Sequence, residues 1–166
     1  MNKSVEVLIF DWGDTVMYDY GLPGAMADWP EVALKEGAKE ALMILSGKYR
    51  CAIATSADFS DVSAMRRALR RVDVERYFDD FFASADLGYQ KPDPRFFEAV
   101  AKALETEPLA CVMIGNSYEK DIVGAKKAGM AAILLDEKHV YGNAPEAEFV
   151  IDNMYELIKI LDNNEE

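Results

Sequence analysis

A short apolar run that ends in a carboxylate is the feature that most constrains this chain. Residues Val7-Leu8-Ile9-Phe10 are all apolar, and Asp11 follows them directly. A run of this kind is typical of a strand in a parallel sheet that is covered by helices on both faces. In open α/β folds, ligands bind at the carboxyl ends of such strands. Asp11 is therefore either a functional side chain at that edge or simply the start of a turn.

Apolar runs and amphipathic stretches alternate along the rest of the chain. The predicted strands are Val5–Phe10, Cys51–Ala54, Phe81–Ala85, Cys111–Ile114, Ala131–Leu135 and Phe149–Ile151. Helical periodicity predicts helices at Val32–Leu45, Asp58–Val72, Pro94–Leu104, Glu119–Gly129 and from Met154 onward. This alternation predicts a three-layer α/β fold in which a doubly wound, mainly parallel sheet lies between helices.

Length, composition and charge indicate one domain and exclude some classes of partner. The chain has 166 residues, 51% of them hydrophobic, which is enough for a single core over residues 1–166; we expect a frayed tail at 163–166. The net charge of −12 argues against binding to nucleic acid or to an anionic membrane, because both need basic surfaces. No apolar run approaches membrane-spanning length and no signal-like segment is present, so we expect a cytoplasmic protein.

The segment 16–30 has no regular period. It contains Gly21, Pro23, Gly24 and Pro30 together with several aromatic side chains and methionines. This composition predicts a loop or a small hairpin. It is either a loop packed on its own domain or a flap over a site, and we expect a flap. The same surface would be the contact of a homodimer.

Four arginines lie in the last turns of the second predicted helix. They are Arg66, Arg67, Arg70 and Arg71. Such a cluster could bind phosphate, but positive charge near a helix C-terminus is favourable in any case. We expect a solvated face.

Polar side chains follow the ends of several predicted strands. They are Thr55 and Ser56 after the second strand, Lys91 after the third, and Asn116 and Asp121 after the fourth. Because right-handed crossovers bring these ends to one edge of the sheet, we expect the side chains to converge on Asp11. Two carboxylates beside an amide oxygen suit Mg²⁺, and lysine and hydroxyl donors suit a phosphoryl group. Each residue alone also has a simpler explanation, such as a surface lysine or a hydroxyl that caps a turn.

Four stretches resemble, in order, the four motifs of the haloacid dehalogenase-like (HAD) hydrolase superfamily. They are Phe10-Asp11-Trp12-Gly13-Asp14-Thr15, Ile53-Ala54-Thr55-Ser56, Gln90-Lys91-Pro92-Asp93-Pro94, and Val112-Met113-Ile114-Gly115-Asn116-Ser117 with Asp121. The third has the form seen in phosphoglycolate-phosphatase-like members. The match covers about Val5 to Leu135, and it implies a Rossmann-like HAD core.

The resemblance implies a role for each matching residue. Asp11 would be the nucleophile that attacks phosphorus, Thr55 and Ser56 would bind the phosphoryl oxygens, and Lys91 would neutralise Asp11 and the phosphate. The residues that would hold Mg²⁺, directly or through water, are Asp11, the backbone carbonyl of Gly13, Asn116 and Asp121. The implied activity is that of a Mg²⁺-dependent phosphohydrolase acting on a phosphorylated small molecule or a phosphoprotein.

Two positions depart from the family pattern. Phosphatases of the family usually carry a second Asp at the position of Gly13, which protonates the leaving oxygen and later activates water. Here the acid, Asp14, stands one place later. Either Asp14 reaches in through a shifted loop and becomes the acid–base catalyst, or turnover is slow, or the leaving group needs little protonation. Asn116 stands where Asp is usual, which keeps an oxygen ligand but removes a charge.

The departure at Gly13 leaves a second hypothesis open. The chain could be a catalytically weak HAD-fold protein that binds a phosphorylated ligand or a protein partner through the same edge. The spacings from Asp11 to Thr55 and from Thr55 to Lys91 leave no room for a cap domain, so the resemblance is to a capless member. Capless members act on large substrates or use a neighbouring subunit as a lid.

Overall fold

A single parallel sheet organises the chain. The computed structural model describes residues 4–162. Within this range the sheet has six strands in the order β3-β2-β1-β4-β5-β6, and every neighbouring pair is parallel. The strands are β1 (Val7–Phe10), β2 (Arg50–Thr55), β3 (Asp80–Ala83), β4 (Cys111–Gly115), β5 (Ala131–Leu135) and β6 (Phe149–Ile151). The predicted α/β class with a parallel sheet is confirmed.

Helices cover both faces of this sheet. They are α1 (Ala38–Leu45), α2 (Val62–Arg71), α3 (Ser84–Leu87), α4 (Pro94–Ala103), α5 (Gly124–Lys127) and α6 (Met154–Asp162). Side chains alternate along a strand, so Leu8 and Phe10 pack with α1, α2 and α6 on one face. Val7 and Ile9 pack with α4 and α5 on the other. None of the helices within the described residues is long and apolar enough to cross a membrane.

The first helix begins later than predicted. The prediction placed it from Val32, but the helix begins at Ala38. Before it, Leu34 pairs with Met17 in an isolated antiparallel bridge, so the apolar residue that had suggested a helical stripe belongs to extended chain. Gly37 then adopts a left-handed φ of 79° at the helix N-cap, which marks the change of direction.

Three other boundaries differ because of local structure. Helix α2 begins at Val62 rather than Asp58, because the Asp61 carboxylate caps it by accepting a hydrogen bond from Ala64 N. Strand β3 ends at Ala83, and α3 occupies the last predicted strand positions. The helix after β4 opens with a π-helical stretch, Tyr118–Val123. The predicted tail at 163–166 lies outside the described residues.

Gly124 allows two layers of the structure to approach closely behind the sheet edge. A Cβ atom at this position would lie 2.6 Å from a ring carbon of Phe97 and 2.8 Å from the carbonyl oxygen of Pro92. A side chain at 124 would therefore push helix α5 away from α4 and from the loop that carries Lys91.

The segment 16–30 packs on its own domain. A 3₁₀ helix, Met26–Asp28, lies against α2. The guanidinium of Arg71 donates hydrogen bonds to the carbonyl oxygens of Ala27, Trp29 and Pro30 at 3.1, 2.6 and 3.2 Å. One of the four clustered arginines thus binds the backbone of this segment, in addition to contacting solvent.

Candidate active site

Asp11 lies where β1 ends at the carboxyl edge of the sheet. Its backbone N–H continues the ladder to Ile114 O at 2.8 Å. Its Oδ1 accepts a hydrogen bond from Lys91 Nζ at 2.7 Å, and its Oδ2 accepts one from Thr15 Oγ1 at 3.0 Å. Only 12% of the side chain is exposed, so the carboxylate is held in one orientation by partners on two sides.

The ammonium group of Lys91 is buried between two carboxylates. Its Nζ lies 2.7 Å from Asp11 Oδ1, 2.8 Å from Asp121 Oδ1 and 3.1 Å from Ala54 O. These three acceptors use all three donors of the ammonium group. Burial by itself would lower the pKa of Lys91, but the charges of Asp11 and Asp121 and the hydrogen bonds they accept raise it above its ordinary value. Lys91 therefore stays charged.

Asp121 reaches the same point from the π-helical stretch. Its Oδ2 accepts a hydrogen bond from Ser117 N at 3.1 Å, opposite the oxygen that binds Lys91. Burial and the charge of Asp11 raise the pKa of Asp121 to about 6, against the opposing effect of Lys91. Gly115 is required beside it, because a Cβ there would lie 2.3 Å from Asp121 Oδ2.

The two hydroxyl groups after β2 each accept a hydrogen bond from backbone. Thr55 Oγ1 accepts from Ala57 N at 3.1 Å, and Ser56 Oγ accepts from Lys91 N at 3.0 Å. A hydroxyl that accepts in this way keeps its own hydrogen for another acceptor. Both residues line the cleft above Asp11. Ser56 also fixes the backbone from which Lys91 projects.

Sequence reasoning did not assign a role to Thr15. Its side chain is fully buried, and its hydroxyl lies 3.0 Å from Asp11 Oδ2 and 3.3 Å from Asn116 Oδ1. With one hydrogen it donates to one of these oxygens at a time, and its position holds Asn116 next to Asp11. The sequence signal that could have revealed this role is a hydroxyl residue close after Asp11 and directly before the apolar pair Val16 and Met17.

The side chains at this edge fit a hard cation of the kind the family resemblance implies. Asp11, Asp121 and Asn116 supply only oxygen atoms, and two carboxylates against one ammonium leave one net negative charge. No group of three or more His, Cys, Asp or Glu side chains suited to a metal occurs in residues 4–162. A cation would therefore also need the amide and backbone oxygens, and such a set suits Mg²⁺ with several waters retained.

A cleft of about 570 Å³ opens above these residues. Its floor includes Asp11, Thr55 and Lys91. Its walls come from two loops, the segment 16–30 and the stretch 56–60. One wall is the segment 16–30, through residues that include Leu22 and Trp29. The predicted flap segment therefore packs on α2 and also borders the site.

Asp14 lines the cleft, and one oxygen of its carboxylate is engaged in the loop. Asp14 has a left-handed φ of 60°, which is uncommon for a residue other than glycine. Its N–H donates to Met17 O at 2.6 Å, and its Oδ1 accepts from Asp19 N at 3.0 Å. The loop 13–19 thus folds back on itself, and one of the two Asp14 oxygens stabilises that turn.

The predicted site residues from strands β1, β2 and β4 and from the loop after β3 meet at one point. Their convergence depends on the central position of β1, which pairs with β2 on one side and β4 on the other. Asp14 lies at the margin of this group.

Known proteins share this arrangement of motifs. A family model described as haloacid dehalogenase-like hydrolase matches residues 11–129. Among curated proteins, the glyceraldehyde 3-phosphate phosphatase of Methanothermobacter thermautotrophicus is 35% identical over 100 residues, which cover 56% of this chain and 44% of that protein. The chain spans about half the length of the curated relatives it matches.

Solved structures share the fold over nearly the whole chain. An uncharacterized protein from Listeria monocytogenes serotype 4b is 28% identical, with a TM-score of 0.79 and coverage of 95% of this chain and 97% of that one. A HAD-hydrolase from Bacillus subtilis, bound to magnesium, has a TM-score of 0.78 at 19% identity, with coverage of 95% and 99%. Since the family model spans well over half of the sequence, the chain belongs to the haloacid dehalogenase-like hydrolase family.

Proposed function

We propose that this chain is a Mg²⁺-dependent phosphohydrolase that acts on phosphomonoesters through a phosphoaspartyl intermediate on Asp11. The observation that carries the proposal is the buried ammonium of Lys91 between Asp11 and Asp121, on the floor of an open cleft. A carboxylate fixed in this way is oriented and accessible from one side, as an attacking nucleophile must be.

Each neighbouring group has a task in phosphoryl transfer. The Lys91 charge lies against Asp11 and would stabilise negative charge on the phosphoryl oxygens. The free hydroxyl hydrogens of Thr55 and Ser56 are available to those oxygens, since both hydroxyls already accept from backbone N–H groups. Thr15 holds the second oxygen of Asp11 in place.

Mg²⁺ would be held by Asp11, Asp121, Asn116 and the backbone carbonyl of Gly13. When bound, it would supply positive charge that offsets the charge of the phosphoryl group. With an amide in place of a third carboxylate, the site should need a higher Mg²⁺ concentration than a three-carboxylate site. A solved structure of the same fold is bound to magnesium, which supports this choice of metal.

Small phosphorylated molecules are the substrate class we propose. The cleft of about 570 Å³ is large enough for a phosphorylated sugar or a similar ester. Three curated relatives that match 56–76% of this chain are named glyceraldehyde 3-phosphate phosphatases, and others that match 75–78% are named pyrimidine 5'-nucleotidase and N-acylneuraminate-9-phosphatase. Triose and other sugar phosphates are therefore the first compounds to test, with nucleotides and phosphopeptides after them.

Gly13 favours one alternative function. A site that holds phosphate but lacks an effective acid and base would bind phosphorylated ligands and release product very slowly. The same experiment separates this alternative from the proposal, because binding without turnover has a distinct result.

The test is release of phosphate from a panel of phosphomonoesters, with Mg²⁺ and with a chelator. We expect release with Mg²⁺ only, and a loss of at least about 10⁴-fold in Asp11→Asn, which keeps the shape of the side chain but removes the nucleophile. Asp28→Asn, a change at an exposed acid that pairs with Arg67 and does not line the cleft, is the matched control. Activity that survives in Asp11→Asn would contradict the mechanism. Phosphate binding without turnover in the wild-type chain would favour the alternative.

A further inference from the structure

Gly13 is free to carry a side chain, which makes its identity informative. Its backbone is not in the left-handed region that the structure assigns to Gly21, Gly24, Gly37, Gly88 and Gly129. Backbone conformation therefore does not explain why glycine stands there.

A different acidic residue occupies the space in front of Gly13. The three atoms nearest to a Cβ built on Gly13 all belong to Asp19: its Cβ at 3.4 Å, its Oδ2 at 3.5 Å and its Cγ at 3.8 Å. The Asp19 carboxyl group thus lies in van der Waals contact with the point at which a side chain at position 13 would begin. Asp19 also lines the same cleft as Asp11.

The loop holds Asp19 in this position from both sides. Asp19 N donates to Asp14 Oδ1 at 3.0 Å, and Gly21 N donates to Asp19 Oδ1 at 2.9 Å. Within residues 4–162, Asp19 Oδ2 has no hydrogen-bond partner, and this is the oxygen that faces Gly13. Asp14 likewise has one engaged oxygen, its Oδ1, and that oxygen supports Asp19; what distinguishes Asp19 is that its side chain lies nearest to position 13.

We propose that Asp19 is the general acid and base of this site, and that Asp14 is a positioning residue that fixes the loop. The proposal rests on the phosphohydrolase function proposed above. It replaces the prediction that Asp14 takes over the role of the missing acid. The carboxyl group is supplied from six positions along the chain rather than from position 13.

In the first step an oxygen of Asp11 bonds to phosphorus as the bond to the leaving oxygen breaks. The proton of the Asp19 carboxyl group passes to that oxygen, which leaves as an alcohol and gives phospho-Asp11 and an Asp19 carboxylate. In the second step Asp19 takes a proton from water as the water oxygen bonds to phosphorus. The bond between phosphorus and Asp11 breaks, and the products are inorganic phosphate, the Asp11 carboxylate and a protonated Asp19.

The first test compares Asp19→Asn with Asp14→Asn on two esters. Glycerol phosphate has a poor leaving group, whereas p-nitrophenyl phosphate has one that needs no proton. We expect Asp19→Asn to lower kcat on glycerol phosphate by about 10²–10⁴-fold. With p-nitrophenyl phosphate it should release one equivalent of nitrophenol rapidly and then stall, because only the second step still needs the base. Asp14→Asn keeps an oxygen for Asp19 N, so we expect a loss that is smaller than in Asp19→Asn and of the same size on both esters.

The second test moves the acid. In the double variant Gly13→Asp with Asp19→Asn, the new carboxyl group starts beside the side chain of residue 19, and we expect kcat on glycerol phosphate to recover by at least about tenfold. Gly13→Asp alone should help less, since it sets two carboxylates side by side. Asp28→Asn, an acid of the same segment that lies outside the cleft, is the control.

Each outcome has one meaning. Wild-type turnover in Asp19→Asn, or the loss of its nitrophenol burst, overturns the role of Asp19 and leaves the phosphohydrolase function intact if Asp11→Asn is inactive. A large loss in Asp14→Asn with none in Asp19→Asn returns the role to Asp14. If kcat does not recover in the double variant, the idea that positions 13 and 19 can supply the same carboxyl group is overturned. A wild-type chain that releases no phosphate overturns both proposals.

Discussion

The two sides of the cleft are built on different principles. On one side, Asp11, Lys91 and Asp121 project from strand ends or from structure packed directly on the sheet, and all three are buried. On the opposite side, Gly13, Asp14 and Asp19 belong to a half-exposed loop held by its own hydrogen bonds. Charged groups that are buried away from water need the rigid support of the sheet. A residue that carries a proton can lie on the loop, because different positions in the loop sequence can supply its carboxyl group.

The largest effect should come from removing the charge that joins the buried side. Lys91→Met leaves Asp11 and Asp121 facing each other without a cation. Breaking a buried ion pair in this way costs about 3–5 kcal/mol of unfolding free energy, and phosphate release should fall to background. Denaturant titration and the phosphate assay measure the two effects.

Lys35→Met is the matched control for that change. Lys35 is also buried, but its partner Glu137 is 32% exposed and can turn to water. We therefore expect a smaller loss of stability and retained turnover. Equal losses in the two variants would show that the buried network has no special importance.

An intermediate effect should follow from removing a single hydroxyl on the buried side. Thr15→Val keeps the shape of the side chain but leaves Asp11 Oδ2 and Asn116 Oδ1 without their donor. An unsatisfied buried acceptor costs about 1–3 kcal/mol, so the unfolding midpoint should shift accordingly. Thr15→Ser retains the donor and should recover most of the loss. A neutral Thr15→Val would mean that these oxygens find other partners.

The smallest effect should come from the loop side. Arg71→Ala removes the donors that bind the carbonyl oxygens of the segment 16–30. We expect about 1 kcal/mol of lost stability and a KM raised several-fold with kcat nearly unchanged, because this segment borders the cleft but is distant from the bond that breaks. Arg70→Ala is the control, since Arg70 pairs with Glu75. A fall in kcat larger than the rise in KM would contradict this division of the cleft.

The buried side could be predicted from the sequence almost residue by residue. Apolar runs mark the strands, and parallel topology brings whatever follows them to one edge, which is how Asp11, Thr55, Lys91 and Asp121 were found. The roles of these residues in catalysis and metal binding stay predictions until the variants are made.

The loop side could not be predicted in the same way. Asp19 reaches Gly13 only because the chain reverses at Asp14 in a left-handed conformation, and no periodicity signals such a reversal. The predicted start of α1 was wrong for a related reason. Leu34 has helical spacing from the residues after it, but a bridge to Met17 holds it in extended chain.

The missing side chain of Gly124 has a consequence for the whole catalytic centre. Pro92, next to Lys91, and the helix that follows Asp121 meet at this glycine. The two elements that carry the lysine and the aspartate are therefore packed closely together, in addition to the ion pair that the two residues form. A change in the packing of the outer helical layer could thus alter the positions of Lys91 and Asp121, although residues of that layer do not line the cleft.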